Sequence, residues 1–203
     1  VGLVLGAGAA VASMQPLPPT PITPGQIIGE SQLEKARCVQ ASDPAKYQRS
    51  RAVGRIYTGR SYGTAWRVGP GNLVLTNLHV VGENPDLTRM VVAFDYEESS
   101  CDSDAMRPAI RVPVKRVVAS HAWEDFALLA LDQDVVDSGA LDSFGYLGLD
   151  TRISKVGDPV YVVGHPKAGP KRISRLHDDG RPCWVTEVQN NDLSDFAKYN
   201  CDT

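Results

Sequence analysis

The sequence lacks an excess of basic residues, and this absence argues against one large class of partners. Its 203 residues include 21 lysines and arginines against 24 aspartates and glutamates, which gives a formal net charge of −3. Because a nucleic-acid-binding domain presents a basic footprint, we expect no nucleic-acid partner. Hydrophobic residues make up 42% of the chain and charged residues 22%, which excludes a disordered chain, a collagen and a coiled coil.

Long hydrophobic runs are also missing. Residues 1–12 are uncharged and mostly apolar, but they are too few to cross a bilayer as a helix. Their length is that of the hydrophobic part of a signal peptide, and Ala10-Val11-Ala12 has the form of a cleavage site. We therefore expect a truncated signal peptide over residues 1–12 and a secreted or periplasmic protein with no membrane attachment in its mature form. A buried strand or a linker is the alternative.

Residues 13–50 predict a proline-rich spacer followed by a leading or propeptide arm. The segment Pro16–Pro24 holds five prolines in nine residues, so it forms neither a helix nor a central strand. The more polar part of the arm predicts a short helix around Ser31–Cys38.

The chain contains four cysteines and no C-x-x-C pair, which argues against a zinc ribbon. An even number of cysteines in a secreted chain predicts two disulfides, for which three connectivities exist. Pairing Cys183 with Cys201 closes a loop within the last segment and leaves Cys38 with Cys101. Free buried thiols are the alternative.

Short β-type runs separated by turn residues recur from residue 51 onward. The predicted strands are Ala52–Tyr57, Tyr62–Val68, Asn72–Thr76, Met90–Phe94, Ile110–Ala119, Phe126–Leu131, Pro159–Gly164, Arg172–Arg175 and Trp184–Gln189. The turn signal Gly69-Pro70-Gly71-Asn72 predicts that the second and third strands form a hairpin. Asp132–Thr151 is turn-rich and is the best candidate for a link between two sub-barrels. Many short strands with few helices predict an all-β barrel or sandwich.

One histidine and one aspartate stand where a strand ends or begins. His79 lies just past a predicted strand end, and a neutral imidazole there can act as a general base near pH 7. Asp125 directly precedes an apolar strand, where a carboxylate is costly unless it has a partner such as an imidazole N–H. A packed histidine and a solvated aspartate are the ordinary explanations of each residue alone.

Taken together, these segments resemble the trypsin/chymotrypsin-type serine peptidase family, closest to its secreted bacterial glutamyl-endopeptidase-like members. The segments that carry the resemblance are Gly63-Thr64, Leu75–Val81, Asp125–Leu129, Val156–Pro166 and Tyr199–Thr203. The His-to-Asp separation is 46 residues, against about 45 in this family. The resemblance implies a two-β-barrel chymotrypsin-like fold, with the first barrel at 51–135 and a linker and incomplete second barrel at 136–203.

The resemblance also implies roles for two residues. His79 matches the general base and Asp125 matches the residue that orients it, whereas the nucleophilic serine matches no residue. The serines excluded by position or by the lack of a following glycine are Ser61, Ser138, Ser143, Ser174 and Ser194. The nucleophile is expected beyond Thr203, either near position 218, from the family's Asp-to-Ser separation of about 93 residues, or about five residues past Thr203 within a Gly-x-Ser-Gly segment. We therefore expect the 203-residue chain to be an inactive fragment.

For the full-length parent, the resemblance implies a monomeric serine endopeptidase that acts on a protein or peptide substrate through an acyl-enzyme. It implies no metal and no cofactor. One alternative is a non-catalytic protease-like module that binds a partner and never had the serine. Another is a disulfide-stabilised β-barrel binding protein of a different family, in which His79 and Asp125 are placed by chance.

Several other residues have structural interpretations. The acidic residues of Asp95–Asp104 predict a solvated loop rather than a calcium site, and the basic residues of Lys167–Arg175 predict a solvated hairpin. His165 is expected to be structural at a strand end. We expect the three tryptophans to lie in the core; they are Trp66, Trp123 and Trp184.

Overall fold

The computed structural model describes residues 30–191 and 194–203. The predicted signal-peptide remnant at 1–12 and the proline-rich spacer at 16–24 lie outside these ranges. No helix within the described residues is both long enough and apolar enough to span a membrane.

Short strands dominate the described chain, as the sequence predicts. In chain order the elements are β1 (Glu34–Lys35), α1 (Ala36–Ser42), α2 (Pro44–Ser50), β2 (Val53–Tyr57), β3 (Tyr62–Arg67), β4 (Leu73–Thr76), α3 (Leu78–Val81), β5 (Val91–Phe94), β6 (Ile110–His121), β7 (Phe126–Leu131), α4 (Gln133–Asp137), β8 (Val162–Gly164), β9 (Arg172–Ser174), β10 (Val185–Asn191) and β11 (Ser194–Tyr199). Short 3₁₀ turns lie at Leu87–Arg89, Asp142–Phe144 and Pro166–Ala168.

Strands β2 to β7 close into a six-stranded antiparallel barrel in the order β2-β3-β4-β7-β6-β5. Alternate side chains of β7, such as Ala127 and Leu129, point inward and are fully buried, because successive side chains of a strand face opposite sides. They pack with Ile56, Val74 and Phe94 in the barrel core. The predicted β3–β4 hairpin is also confirmed by the strand pairing.

The turn-rich segment after β7 contributes to this same core. Leu141 and Phe144 are buried among the barrel side chains, so the core extends past the predicted boundary at residue 135. Arg67, which is 4% exposed, donates hydrogen bonds of 2.8 Å and 2.9 Å to the carbonyls of Leu141 and Gly145. The first part of the segment therefore covers one end of the barrel, and the exposed stretch that leads onward begins near Tyr146.

The strands of the second half form smaller sheets. Strands β8 and β9 pair antiparallel, and β1 of the leading arm adds to the outer edge of β9. Strands β10 and β11 form a separate hairpin. Within residues 30–191 and 194–203 these strands form no second closed barrel, which agrees with the incomplete second barrel that the sequence predicts.

The leading arm is built into the fold. Its predicted helix around Ser31–Cys38 is wrong in its bounds, because Glu34 and Lys35 pair with β9 and the helix begins only at Ala36. Asp43 then caps α2 by accepting a hydrogen bond from the Lys46 backbone, with Pro44 at the first helical position. Residues of both helices pack on one residue of β9 in a small core; they are Ala36, Val39, Tyr47 and Ile173.

Both predicted disulfides are present. Cys38 of α1 is bonded to Cys101 in the loop after β5, and Cys183 before β10 is bonded to Cys201 after β11. All four cysteines are therefore bonded, and the alternative of free thiols is wrong. The first bond ties the leading arm to the barrel, and the second ties the end of the chain to the second half.

The first part of the acidic loop after β5 is buried, so the prediction of a solvated loop is wrong there, whereas the later acids Asp102 and Asp104 are exposed as predicted. Asp95, Glu97 and Glu98 are each less than 5% exposed. The Glu97 carboxylate accepts hydrogen bonds from the Tyr47 hydroxyl at 2.8 Å and from Arg107 at 3.1 Å. Each carboxylate thus has partners that lie far away in the sequence and meet it only in the folded chain.

The basic segment around β9 supplies the matching cations, so its prediction as a solvated hairpin is also wrong. The Lys171 ammonium is fully buried and lies 3.6 Å from Glu97. Arg172 holds Glu98 through two hydrogen bonds of 2.7 Å and 2.9 Å, a bidentate geometry that makes an ion pair strong. Burial lowers the pKa of Lys171, and the neighbouring Glu97 carboxylate opposes that shift. These ion pairs join the barrel to the second half of the chain.

Two further expectations concern single residues. His165 follows β8 directly and is buried, as expected for a structural strand-end residue. Trp123 is 66% exposed, so its prediction as a core residue is wrong, while Trp66 and Trp184 are half-buried. Trp123 lies in the β6–β7 turn, where no element of the described chain covers it.

We expect Lys171→Met to lower the free energy of unfolding by about 3–5 kcal/mol, because it leaves a buried carboxylate without its ammonium partner. The matched control is Lys198→Met, which removes the exposed ion pair with Glu187 and should change stability by less than about 1 kcal/mol. Urea unfolding with the disulfides intact, followed by circular dichroism, measures both. Equal effects of the two substitutions would contradict the buried-pair interpretation.

We also expect His165 to make stability depend on pH. Burial, aided by the nearby Lys171 ammonium, lowers the pKa of His165 to about 3, so the unfolded chain binds its proton first as the pH falls. Between pH 6.5 and pH 5 the native state should therefore lose about 2 kcal/mol of stability through this group. Unfolding free energies at pH 7, 6 and 5 should fall more steeply in the wild type than in His165→Gln, and parallel slopes would refute this.

Candidate active site

His79 is presented to solvent by a short helix that follows a barrel strand. Strand β4 ends at Thr76, and Asn77 in extended conformation leads into the four-residue helix α3. Val81 of α3 is buried in the barrel core, and Leu78 and Val80 pack against that core. Because these apolar residues hold the helix, His79 on its opposite face remains exposed.

Gly63 of β3 makes room for this helix. A Cβ at Gly63 would lie 2.6 Å from a methyl group of Val80, closer than real Cβ atoms approach. The Gly63-Thr64 motif therefore needs a glycine at position 63, because α3 packs directly on the backbone of β3. Any larger residue would displace the helix that carries His79.

Asp125 meets His79 through both of its carboxylate oxygens. Its Oδ1 accepts a hydrogen bond of 2.8 Å from the backbone N–H of His79, and its Oδ2 lies 2.5 Å from the imidazole Nδ1. The strands that carry the two residues are neighbours in the barrel, and Thr76 of β4 pairs with Ala127 of β7. The structure therefore brings together the two residues that the sequence singles out.

The backbone of Asp125 is held in an unusual conformation. Its φ of 48° lies in the left-handed region, which is uncommon for residues other than glycine, although aspartate adopts it more often than most. Its carbonyl accepts hydrogen bonds from the Leu78 backbone at 3.2 Å and from the Asn77 side chain at 3.1 Å. The same Asn77 amide also lies 3.2 Å from Oδ2 of Asp125. These contacts offset the strain and aim the carboxylate at His79.

Asn77 is the site residue that sequence reasoning missed as a functional one. The signal is an amide two positions before the histidine, at the strand end, where it can reach the turn that carries the aspartate. An asparagine directly after a strand is common in turns, so its sequence position alone does not distinguish this role.

The arrangement leaves the second imidazole nitrogen available. Because Nδ1 faces the Asp125 carboxylate, it carries the proton, and Nε2 then has a free lone pair. Nε2 forms no hydrogen bond with any described residue, and 40% of the His79 side chain is exposed. Chemically, this is an imidazole that can accept a proton from a hydroxyl group and keep the resulting charge next to a carboxylate.

Four of the five serines considered in the sequence analysis make contacts away from His79. The Ser61 hydroxyl donates to the Val80 carbonyl at 3.1 Å, and the buried Ser174 hydroxyl accepts from the Asp202 backbone at 2.9 Å. Ser138 donates to the Val135 carbonyl, and the Ser143 hydroxyl lies against Arg51. Of the serine side chains that the structure describes, none is hydrogen-bonded to His79.

A cleft of about 1010 Å³ lies between the barrel and the second half of the chain. Asn77 of the His79 segment and Thr64 of β3 line one side, and residues 161–167 line the other. The last residues, Asp202 and Thr203, also line this cleft. Across the described ranges, no group of three or more histidine, cysteine or acidic side chains is arranged to hold a metal ion.

Two curated proteins match the sequence. An uncharacterized protein of Sinorhizobium fredii, y4fB, is 31% identical over 136 residues, which cover 62% of this chain and 20% of that protein. Secreted RxLR effector protein 73 of Plasmopara viticola is 28% identical over 164 residues, which cover 76% of this chain and 39% of that protein. The chain thus spans well under half the length of either relative.

Solved protease structures share the fold. The HtrA-type protease AlgW with a tripeptide superimposes with a TM-score of 0.51 at 20% identity, covering 74% of this chain and 42% of AlgW. The Rv3671c protease in its inactive form superimposes with a TM-score of 0.52 at 18% identity, covering 81% of this chain and 73% of that one. At such identities the likeness shows the fold alone, and it confirms the predicted fold class.

The family comparison covers most of the chain. The family model of the trypsin-like peptidase domain matches residues 63–203, a range that includes both His79 and Asp125. The finer resemblance to glutamyl endopeptidases stays a prediction, since none of these proteins is named as one. The matched range and the shared fold show that this chain belongs to the trypsin-like peptidase family.

Proposed function

We propose that this chain is part of a serine endopeptidase in which His79 is the general base and Asp125 is the residue that orients it. The observation that carries this proposal is the double contact of Asp125 with the backbone and the ring of His79. Such a contact sets both the position and the tautomer of the imidazole, which are the two properties that a general base needs.

The proposed reaction proceeds in two halves. A serine Oγ attacks the carbonyl carbon of the scissile peptide bond while its proton passes to Nε2 of His79. The imidazolium is stabilised by the Asp125 carboxylate and then gives that proton to the departing amine, which leaves an acyl-enzyme. A water molecule then attacks the ester with His79 again accepting the proton, and the serine regains it as the acid is released.

The nucleophilic serine is proposed to follow Thr203 in the natural protein. Asp202 is buried, and its backbone N–H is fixed by the Ser174 hydroxyl, while the neighbouring Cys201 is bonded to Cys183. These contacts hold the end of the described chain at the cleft that Asn77 also lines. A residue a short distance beyond Thr203 would thus be delivered towards His79, whereas no described serine side chain is hydrogen-bonded to that histidine.

The proposed setting is extracellular or periplasmic. Two disulfides are typical of an oxidising compartment, and one relative is named as a secreted effector. Residues 1–12 would then be the remnant of a signal peptide. We further propose a monomer whose partner is a protein or peptide substrate, with a first barrel whose strands lie within 51–135 and a partial second barrel within 136–203.

The test is covalent labelling with a fluorophosphonate probe, which reacts with an activated serine. We expect labelling of the natural protein extended past Thr203 and no labelling of the 203-residue chain. His79→Ala should slow labelling of the extended protein by at least about a thousandfold, because the serine then lacks its base.

Asp125→Asn keeps the size of the side chain but favours the wrong imidazole tautomer, so it should cost about ten-thousandfold in peptide hydrolysis. The matched control is His177→Ala, which removes a histidine that packs on Trp184 outside the cleft. This control should label like the wild type. If the extended wild-type protein stays unlabelled, the peptidase proposal fails and a non-catalytic binding module is favoured instead.

A further inference from the structure

The loop between β8 and β9 has a strained backbone. Lys167 and Ala168 have φ values of 51° and 60°, two consecutive residues other than glycine in the left-handed region. His165, Pro166 and Lys167 of this loop line the cleft opposite Asn77. Strain of this kind persists only where surrounding contacts enforce it.

Arg55 of the barrel holds one end of this loop in place. Its guanidinium donates a hydrogen bond of 2.7 Å to the carbonyl of Ala168, one of the two strained residues. The same guanidinium lies 3.5 Å from the ring centroid of Tyr96 and 4.7 Å from that of Tyr62. Among the described residues it has no carboxylate partner, so its contacts are the two rings and the loop carbonyl.

Thr64 holds the other end of the loop in place. Its hydroxyl accepts a hydrogen bond of 3.0 Å from the backbone N–H of His165, and its carbonyl accepts one of 2.8 Å from the Thr76 hydroxyl. The His165 ring donates from Nδ1 to the Gly169 carbonyl at 3.1 Å and so closes the loop on itself. Thr64 thereby connects the loop to β4, the strand that leads to His79.

We infer that Arg55 and Thr64 are positioning residues that hold the 165–169 loop as a rigid wall for an extended peptide substrate. This inference rests on the proposed peptidase function and adds the surface that binds the peptide. A wall held in its bound conformation before the substrate arrives lowers the entropic cost of binding. The loop would therefore act on peptide binding, while His79 and the serine act on the bond that breaks.

If the loop acts only on peptide binding, loss of its supporting contacts should change KM and leave kcat nearly unchanged. Thr64→Val keeps the shape of the side chain but removes the acceptor for the His165 N–H, whereas Thr64→Ser keeps that acceptor. In the protein extended past Thr203, Thr64→Val and Arg55→Met should each raise KM for a peptide of eight residues by about tenfold. Their kcat values and fluorophosphonate labelling rates should stay within about twofold of the wild type.

Thr64→Ser is the matched control, and its KM should equal that of the wild type. A general structural role would lower peptide hydrolysis and probe labelling together, and that outcome would overturn the inference. An unchanged KM in Thr64→Val and Arg55→Met would overturn it as well.

If the wild-type protein does not label at all, the proposed function fails, and the positioning of the loop is then measured without catalysis. Amide hydrogen exchange of the 203-residue chain reports on the Gly169 and Lys171 N–H groups, which are bonded to the Pro166 and Tyr96 carbonyls. Both substitutions should speed this exchange by about tenfold, with no change at the Leu131 amide of β7. Equal exchange in wild type and variants would refute positioning by Arg55 and Thr64.

Discussion

The contact between the Asp125 carboxylate and His79 is the interaction on which the site depends. One oxygen binds the first turn of α3 and the other binds the imidazole, so a single side chain positions both the helix and the ring. That carboxylate is in turn aimed by a left-handed backbone, which Asn77 and Leu78 hold in place. The barrel makes this possible because β4 and β7, which carry the two segments, are hydrogen-bonded neighbours.

Buried ion pairs are among the contacts that hold the second half of the chain to this barrel. Buried ion pairs join the loop after β5 to Lys171 and Arg172, and a disulfide joins that loop to the leading arm. Buried ion pairs contribute little net stability compared with apolar packing, but losing one partner is costly. They therefore favour one arrangement of arm, barrel and second half over others. The leading arm belongs to this arrangement, since β1 also extends the sheet of β9.

The cleft lies where these parts meet, and its two sides differ in character. On the barrel side, Asn77 directly follows the regular strand β4, and the apolar residues of the adjoining helix α3 pack against the barrel core. On the opposite side, the 165–169 loop is strained and depends on polar contacts from Arg55 and Thr64. Strand β4 and helix α3 thus support the proposed chemistry, and the strained 165–169 loop supports the proposed binding of substrate.

Local patterns in the sequence predicted most strands of the barrel, and the resemblance to a family added the closed fold and the central pair. Alternation of apolar and polar residues reveals strands because it needs only neighbouring positions, as in Phe126–Leu131. His79 and Asp125 could be proposed as a pair because each stands at a strand end within a family-like segment. Both disulfides followed from the small number of cysteines and their spacing.

Tertiary structure alone decided which charges are buried and which residues support the site. Glu97 and Lys171 are 74 residues apart, and no local pattern distinguishes a buried ion pair at that distance from two solvated side chains. The same holds for β1, which is too short to be recognised until it pairs with β9, and for the bond from Arg55 to Ala168. The alternation that marks a strand can be recognised from adjacent residues. The partner of a buried charge depends instead on which distant segment the folded chain places next to it.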